Sequence, residues 1–129
     1  MKRCLVADNS PIVRKVAKHF LTEGRWHVEE ADNADEAAAI FTRVAPDLVF
    51  VDWQLAGMDA VELIKKFRRM EDGARPRILY VVSDENRHEI WRALKAGADD
   101  FLAKPFDRAS FTGKVKELLP QLAQWDLAS

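Results

Sequence analysis

Leu48-Val49-Phe50-Val51 is the stretch that most restricts how this chain can fold. Four β-forming apolar residues follow one another without polar alternation, the pattern of a strand covered on both faces in a parallel sheet. The run stops at Asp52. Gln54 to Met58 reads as a loop punctuated by Gly57, and Ala60 to Met70 as the next helix. A carboxylate closing a buried parallel strand sits at the rim where open α/β sheets bind ligands. The plainer reading, that Asp52 merely caps or turns the chain, is the weaker one on this stretch alone, and the other strand ends weaken it further.

The rest of the chain repeats the unit. Cys4 to Ala7 is a short apolar run closed by Asp8, and Ser10-Pro11 is an N-cap followed by proline at the first helical position. Ile12, Val13, Val16, Ala17, Phe20 and Leu21 form an apolar stripe at helical period, ended by Gly24. Trp26-His27-Val28 is a weaker strand. Asn33 with Glu36 resembles a capping box, followed by Ala37, Ile40, Phe41 and Val44 on one face. After Gly73 to Pro76 comes the strand Ile78 to Val82, then a helix from about Glu85 to Ala96 that buries Ile90, Ala93 and Leu94. Phe101 to Ala103 is the last strand, and a helix from near Asp107 carries Phe111, Val115, Leu118, Leu119 and Leu122. Five strand-then-helix repeats with short connections require a parallel sheet covered on both faces. One domain is expected over residues 1–123, with 124–129 a short C-terminal tail from which Trp125 can fold back.

Composition narrows the partners. Twenty Lys and Arg against 21 Asp and Glu leave a net charge of -1, so no global field draws the chain to nucleic acid or to an anionic membrane. The lone Cys4 fits a reducing compartment, and neither a signal-peptide core nor a membrane-spanning apolar run is present. A cytoplasmic location is expected. His19, His27 and His88 lack metal-ligand spacing and read as surface or packing residues.

Four strand ends carry reactive groups: Asp8, Asp52, Ser83 just past Val82, and Lys104. Parallel strands share one carboxyl edge, so these groups converge. Two adjacent carboxylates repel and raise a pKa unless a cation relieves them. Mg²⁺ with oxygen ligands and retained waters suits an open rim, and a lysine opposite pairs with an anion bound beside the metal. The pattern points to phosphoryl chemistry on an aspartate, with Asp52 as nucleophile.

In VADNSPIVRKV, DLVFVDWQLAGMDAVELIKKFR and LKAGADDFLAKPF the chain resembles the receiver domain of two-component response regulators, above all the stand-alone, CheY-like type. The resemblance covers nearly the whole chain. It implies a flavodoxin-like, doubly wound sheet of five parallel strands in the order 2-1-3-4-5 with five helices. It also implies that Asp52 is the phospho-acceptor and that Asp8, Asp52 and the backbone carbonyl of Gln54 hold Mg²⁺. Lys104 then contacts the phosphoryl group, with a cis peptide to Pro105, and Phe101 is the switch aromatic, although a core phenylalanine explains it as well. The implied partners are a histidine kinase or histidine phosphotransfer protein upstream. Downstream, a protein target is reached through the face of the fourth helix, fifth strand and fifth helix. No output domain lies within these 129 residues, so signalling by protein contact is expected.

The chain departs from the family at several positions. Ala7 replaces the first of two adjacent acids, which weakens Mg²⁺ binding. Ala56 stands where proline is usual and Ala60 where glycine is usual, at about 1 kcal/mol if that backbone needs positive φ. The family's phosphoryl-gripping hydroxyl falls on Val82 by its spacing to the lysine, while Ser83 lies one place later. Either Ser83 is the switch hydroxyl or the switch position holds valine. These departures leave a second class open, a pseudo-receiver interaction module that works without phosphate. A phosphatase-type hydrolase is disfavoured, because Gln54 stands where its second acid belongs. Arg68, Arg69, Arg75 and Arg77 read as a clamp for a phosphate-bearing ligand or, more simply, a solvated basic edge. Arg87, His88 and Trp91 are candidates for a partner surface.

Overall fold

The computed structural model describes residues 2–83 and 86–120. Its elements alternate in chain order: β1 (Arg3–Ala7), α1 (Pro11–Glu23), β2 (His27–Ala31), α2 (Ala34–Val44), β3 (Leu48–Asp52), α3 (Ala60–Arg69), β4 (Arg77–Val82), α4 (Arg87–Ala96), β5 (Asp100–Ala103) and α5 (Arg108–Leu118). The strands form one parallel sheet in the order β2-β1-β3-β4-β5. β3 is central and every one of its residues is buried, as its unbroken apolar run requires. Alternation along the strands makes two cores. Val49, Val51, Tyr80 and Val82 pack with α2, α3 and α4 on one face; Leu48, Phe50, Leu79 and Val81 pack with α1 and α5 on the other.

Capping residues start the helices where side-chain acceptors permit. Ser10 accepts from Val13 N–H, Asn33 from Glu36 N–H, and Asn86 from the N–H groups of His88 and Glu89. Asp107 and Ser110 form a reciprocal pair at the start of α5. Strand register brings the carboxyl ends level: Ala7 lies beside Val51, Asp52 beside Val81, and Val82 beside Ala103. Asp8, Asp52 and Lys104 therefore open onto one edge.

Several expectations change. Trp26 is buried but precedes β2, which runs on through two half-buried glutamates to Ala31. The α1 stripe is covered only at its centre: Ala17 and Leu21 are buried, whereas Ile12 is 73% exposed. Leu94 is 42% exposed instead of buried, because α4 packs on a narrow face centred on Ile90 and Ala93 and Leu94 lies at its margin. Ala60 opens α3 with helical backbone and is not among the positive-φ residues, so alanine costs nothing there. α4 starts at Arg87 behind the Asn86 cap, later than the expected start near Glu85, while Leu122 and the tail with Trp125 lie outside the described residues. Among the described residues no helix is long and apolar enough to cross a membrane.

Candidate functional site

Asp8 and Asp52 are the only charged side chains buried among the described residues, at 3% and 4% exposure. Lys104 sets its Nζ 2.9 Å from Asp8 Oδ2 and 2.9 Å from Asp52 Oδ1. The other Asp8 oxygen accepts from Ser10 N–H at 2.8 Å, and Asp52 Oδ2 accepts from Gln54 N–H at 3.1 Å. Asp52 Oδ1 is different. It is buried and, although Lys104 stands at ion-pair distance, it accepts no well-directed hydrogen bond.

Burial pushes the Asp52 carboxyl above the usual range, Lys104 pulls it back, and the charge of Asp8 adds to the rise. Burial alone depresses Lys104, but its contacts with Asp52 and Asp8 outweigh that and hold the ammonium above its ordinary pKa. The Lys104–Pro105 peptide is cis.

The loop after β3 is held by a residue that motif reading passed over. Asn9 donates from Nδ2 to the Gln54 carbonyl at 2.5 Å and accepts at Oδ1 from Ala56 N–H at 2.8 Å. Ala56 in turn accepts at its carbonyl from Ala34 N–H, the first residue of α2, at 2.8 Å. The available signal was joint: an amide beside Asp8, and an N–H at position 56 where the family usually has proline.

The β4 side of the rim has fewer polar ties. Val82 is buried, its carbonyl accepts from Lys104 N–H at 2.7 Å, and its side chain borders a cavity of about 60 Å³ with Trp53, Asn86 and Glu89. Ser83 is exposed and borders an open cleft of about 470 Å³ with Ile12, Val13, Lys104 and Phe106. Its hydroxyl accepts from the Trp53 indole N–H at 3.1 Å. Phe101 is half-buried, lies opposite Tyr80 in the β4–β5 pair, and carries the Lys114 ammonium 5.5 Å above its ring.

Three of the four clustered arginines are tied to the fold, Arg68 most tightly. Arg68 donates to the carbonyls of Gly73, Pro76 and Gly97 and pairs with Asp99, fastening the end of α3 to the approach to β4. Arg75 pairs with Asp47, and Arg77 reaches Asp99 and the Leu118 carbonyl. By contrast Trp91 is 56% exposed on α4, flanked by His88 and Lys95.

A family model described as the response regulator receiver domain matches residues 4–116. The chain belongs to that family. It is similar to the chemotaxis protein CheY homolog of Campylobacter jejuni, 31% identical over 119 residues that cover 91% of this chain and 92% of the relative. It is 30% identical to the transcriptional regulatory protein ResD of Bacillus subtilis over 122 residues, 95% of this chain and 50% of ResD, so it spans about half that regulator's length. A two-component response regulator from Clostridium difficile superposes with a TM-score of 0.87 at 28% identity, covering 95% of this chain and 99% of that structure. Receiver domains are signalling modules of two-component systems rather than conventional enzymes, and they typically bind Mg²⁺ in an acidic pocket.

The donor set suits such an ion. Two buried carboxylates share one ammonium, and one carboxylate oxygen accepts no hydrogen bond. All the oxygens are hard ligands. Among the described residues no group of three or more His, Cys, Asp or Glu converges, so a cation here draws its remaining ligands from main-chain oxygen and water.

Proposed function

We propose that this receiver takes a phosphoryl group onto Asp52 from a histidine kinase or histidine phosphotransfer protein and signals by protein contact. The carrying observation is Asp52 Oδ1, buried, accepting no well-directed hydrogen bond and 2.9 Å from Lys104 Nζ. A carboxylate oxygen that accepts no well-directed hydrogen bond keeps a lone pair available for attack on phosphorus. The new bond is Oδ1–P, and the bond that breaks is the donor's N–P, whose electron pair stays on the ring nitrogen as a neutral imidazole leaves with a proton on its other nitrogen. Lys104 stays protonated and moves its charge from the carboxylates to the phosphoryl oxygens. Gln54 N–H fixes the other Asp52 oxygen, so the reactive one keeps its aim.

Asp8, Asp52 and the Gln54 carbonyl are the residues that hold Mg²⁺ in this reading. Bound there, the ion supplies neutralisation of the charge gathered on the phosphoryl oxygens. Intact mass after incubation with Mg²⁺ and acetyl phosphate tests the proposal, with one added phosphoryl group expected. An unmodified mass, or equal modification of Asp52→Asn, overturns it and favours a module that works without phosphate.

We assign the switch position to Val82, with Phe101 as the aromatic on the same face and α4, β5 and α5 as the surface toward the downstream target. Val82 supports this as the last residue of β4, on the face of Tyr80 and Phe101, whereas Ser83 is past the strand with its hydroxyl bound by Trp53. Exposed Trp91 on α4 supports the same surface, since a large exposed aromatic is a common interface anchor.

A further inference from the structure

We infer that Asn9 is a positioning residue for the cation site, holding the Gln54 carbonyl in place through a two-pronged amide clamp. The inference rests on the Mg²⁺ reading above and assigns a role to a side chain outside the acidic pocket. Asn9 directly follows Asp8 and precedes the N-cap Ser10, so its backbone is fixed by β1 and α1. Its side chain crosses to the loop after β3 and satisfies two backbone groups two residues apart, the Gln54 carbonyl at 2.5 Å and the Ala56 N–H at 2.8 Å.

Those contacts immobilise the peptide that matters. Gln54 N–H is already spent on Asp52 Oδ2, so the amide holds the second half of a residue whose first half is tied to the acceptor. A carbonyl oxygen has two lone pairs, and the Asn9 donor takes one, leaving the other for a cation. Ala56 is held at both ends as well, by Asn9 and by Ala34 at the start of α2. Proline, usual at this position in the family, has no N–H to offer, so the second prong needs a residue other than proline at position 56. Ala7 supplies no second acid, and accurate placement of the carbonyl therefore counts for more in this chain than in a receiver with a full set of carboxylates.

Asn9→Ala and the similarly sized Asn9→Leu remove the clamp, the second without loss of bulk. Mg²⁺ affinity measured calorimetrically falls about tenfold in both, the usual scale for losing an outer partner of a metal ligand. In metal-free protein the Ala56 amide exchanges with solvent at least tenfold faster, while the amides of β3 keep their protection. The thermal midpoint stays within a degree or two, since Asn9 is exposed. Unchanged Mg²⁺ affinity in both variants overturns the inference, and so does tighter binding, which would mean that the amide competes with the ion. Wild-type protein that takes up no Mg²⁺ overturns the cation reading itself and the role of Asn9 with it, an outcome visible without any variant.

Discussion

The two halves of the rim are built differently. On the β1–β3 side the polar groups are held in place: Asp8 by Ser10 and Lys104, Asp52 Oδ2 by Gln54, and the following loop by Asn9 and Ala34, with Asp52 Oδ1 left facing the Lys104 ammonium alone. On the β4–β5 side the strand ends on a buried valine, and the nearest hydroxyl, that of Ser83, is bound by an indole. On the reading proposed above, the first half holds charge, and the second ends its strand on a side chain that offers a phosphoryl group no hydrogen bond. On that same reading acceptor chemistry and its relay are separable, and the substitutions below test each in turn.

The largest expected effect is on the acceptor half. Asp52→Asn abolishes phosphoryl uptake, read as intact mass. It also stabilises the fold at neutral pH, read as a higher thermal midpoint. The sign follows from the raised carboxyl. The unfolded chain ionises first as pH rises, so Asp52 costs the folded state stability from the ordinary Asp range up through its higher folded value. Below the ordinary range both states are protonated, and the gain of the variant disappears. Melts from pH 3 to 8 check this; a variant less stable than wild type at neutral pH contradicts it.

Lys104→Ala is next. Two buried carboxylates then face one another without a counter-charge, a loss of about 3 kcal/mol, at the low end for buried pairs because the lysine side chain is 21% exposed. Mg²⁺ restores a large part of that loss, since it supplies the missing positive charge. Melts with and without Mg²⁺ give the answer, and equal Mg²⁺ shifts in variant and wild type would separate Lys104 from the cation site.

How much of this was legible in the sequence depends on how local the cause was. The unbroken run ending on Asp52 and the Ser10-Pro11 and Asn33 caps were readable because each rests on periodicity or on a contact within three residues. Leu94 and Ile12 were misjudged because a helical stripe does not reveal how wide a groove awaits it. Arg68 looked like a solvated cation because its carbonyl partners lie outside its helix in two separate segments, before β4 and after α4. Asn9 was invisible for the same reason: its bonds cross from β1 to the loop after β3.

Ala7→Asp sharpens the comparison by strengthening the half that is already polar. Mg²⁺ affinity rises several-fold through added negative charge near a dication. The fold loses about 1–2 kcal/mol, because Ala7 is 1% exposed among Val51, Ala31 and Leu55 and a carboxylate there loses hydration. Calorimetric titration and melts measure the two effects separately. A variant that binds Mg²⁺ no better would place the side chain away from the ion.

The smallest expected effect is in the wild type itself, on the relay half. A phosphoryl group shifts a conformational equilibrium only through contacts that differ between the two states. A charge-assisted hydrogen bond from a hydroxyl at the end of β4 is worth about 1.5–3 kcal/mol, roughly ten- to a hundredfold in population, and Val82 cannot make one. Beryllofluoride, standing in for the phosphoryl group on Asp52, should therefore leave the NMR shifts of Phe101 and α4 nearly unmoved. Val82→Thr changes this while keeping the side-chain shape, at a cost of about 1 kcal/mol for placing a hydroxyl where Val82 is buried. In that variant Phe101 and the α4 amides shift on adding beryllofluoride. A full wild-type response that is lost in Ser83→Ala instead assigns the relay to Ser83, released from Trp53 toward the cleft it shares with Lys104. A full wild-type response that survives Ser83→Ala defeats both assignments and leaves the signal to a route that uses neither side chain.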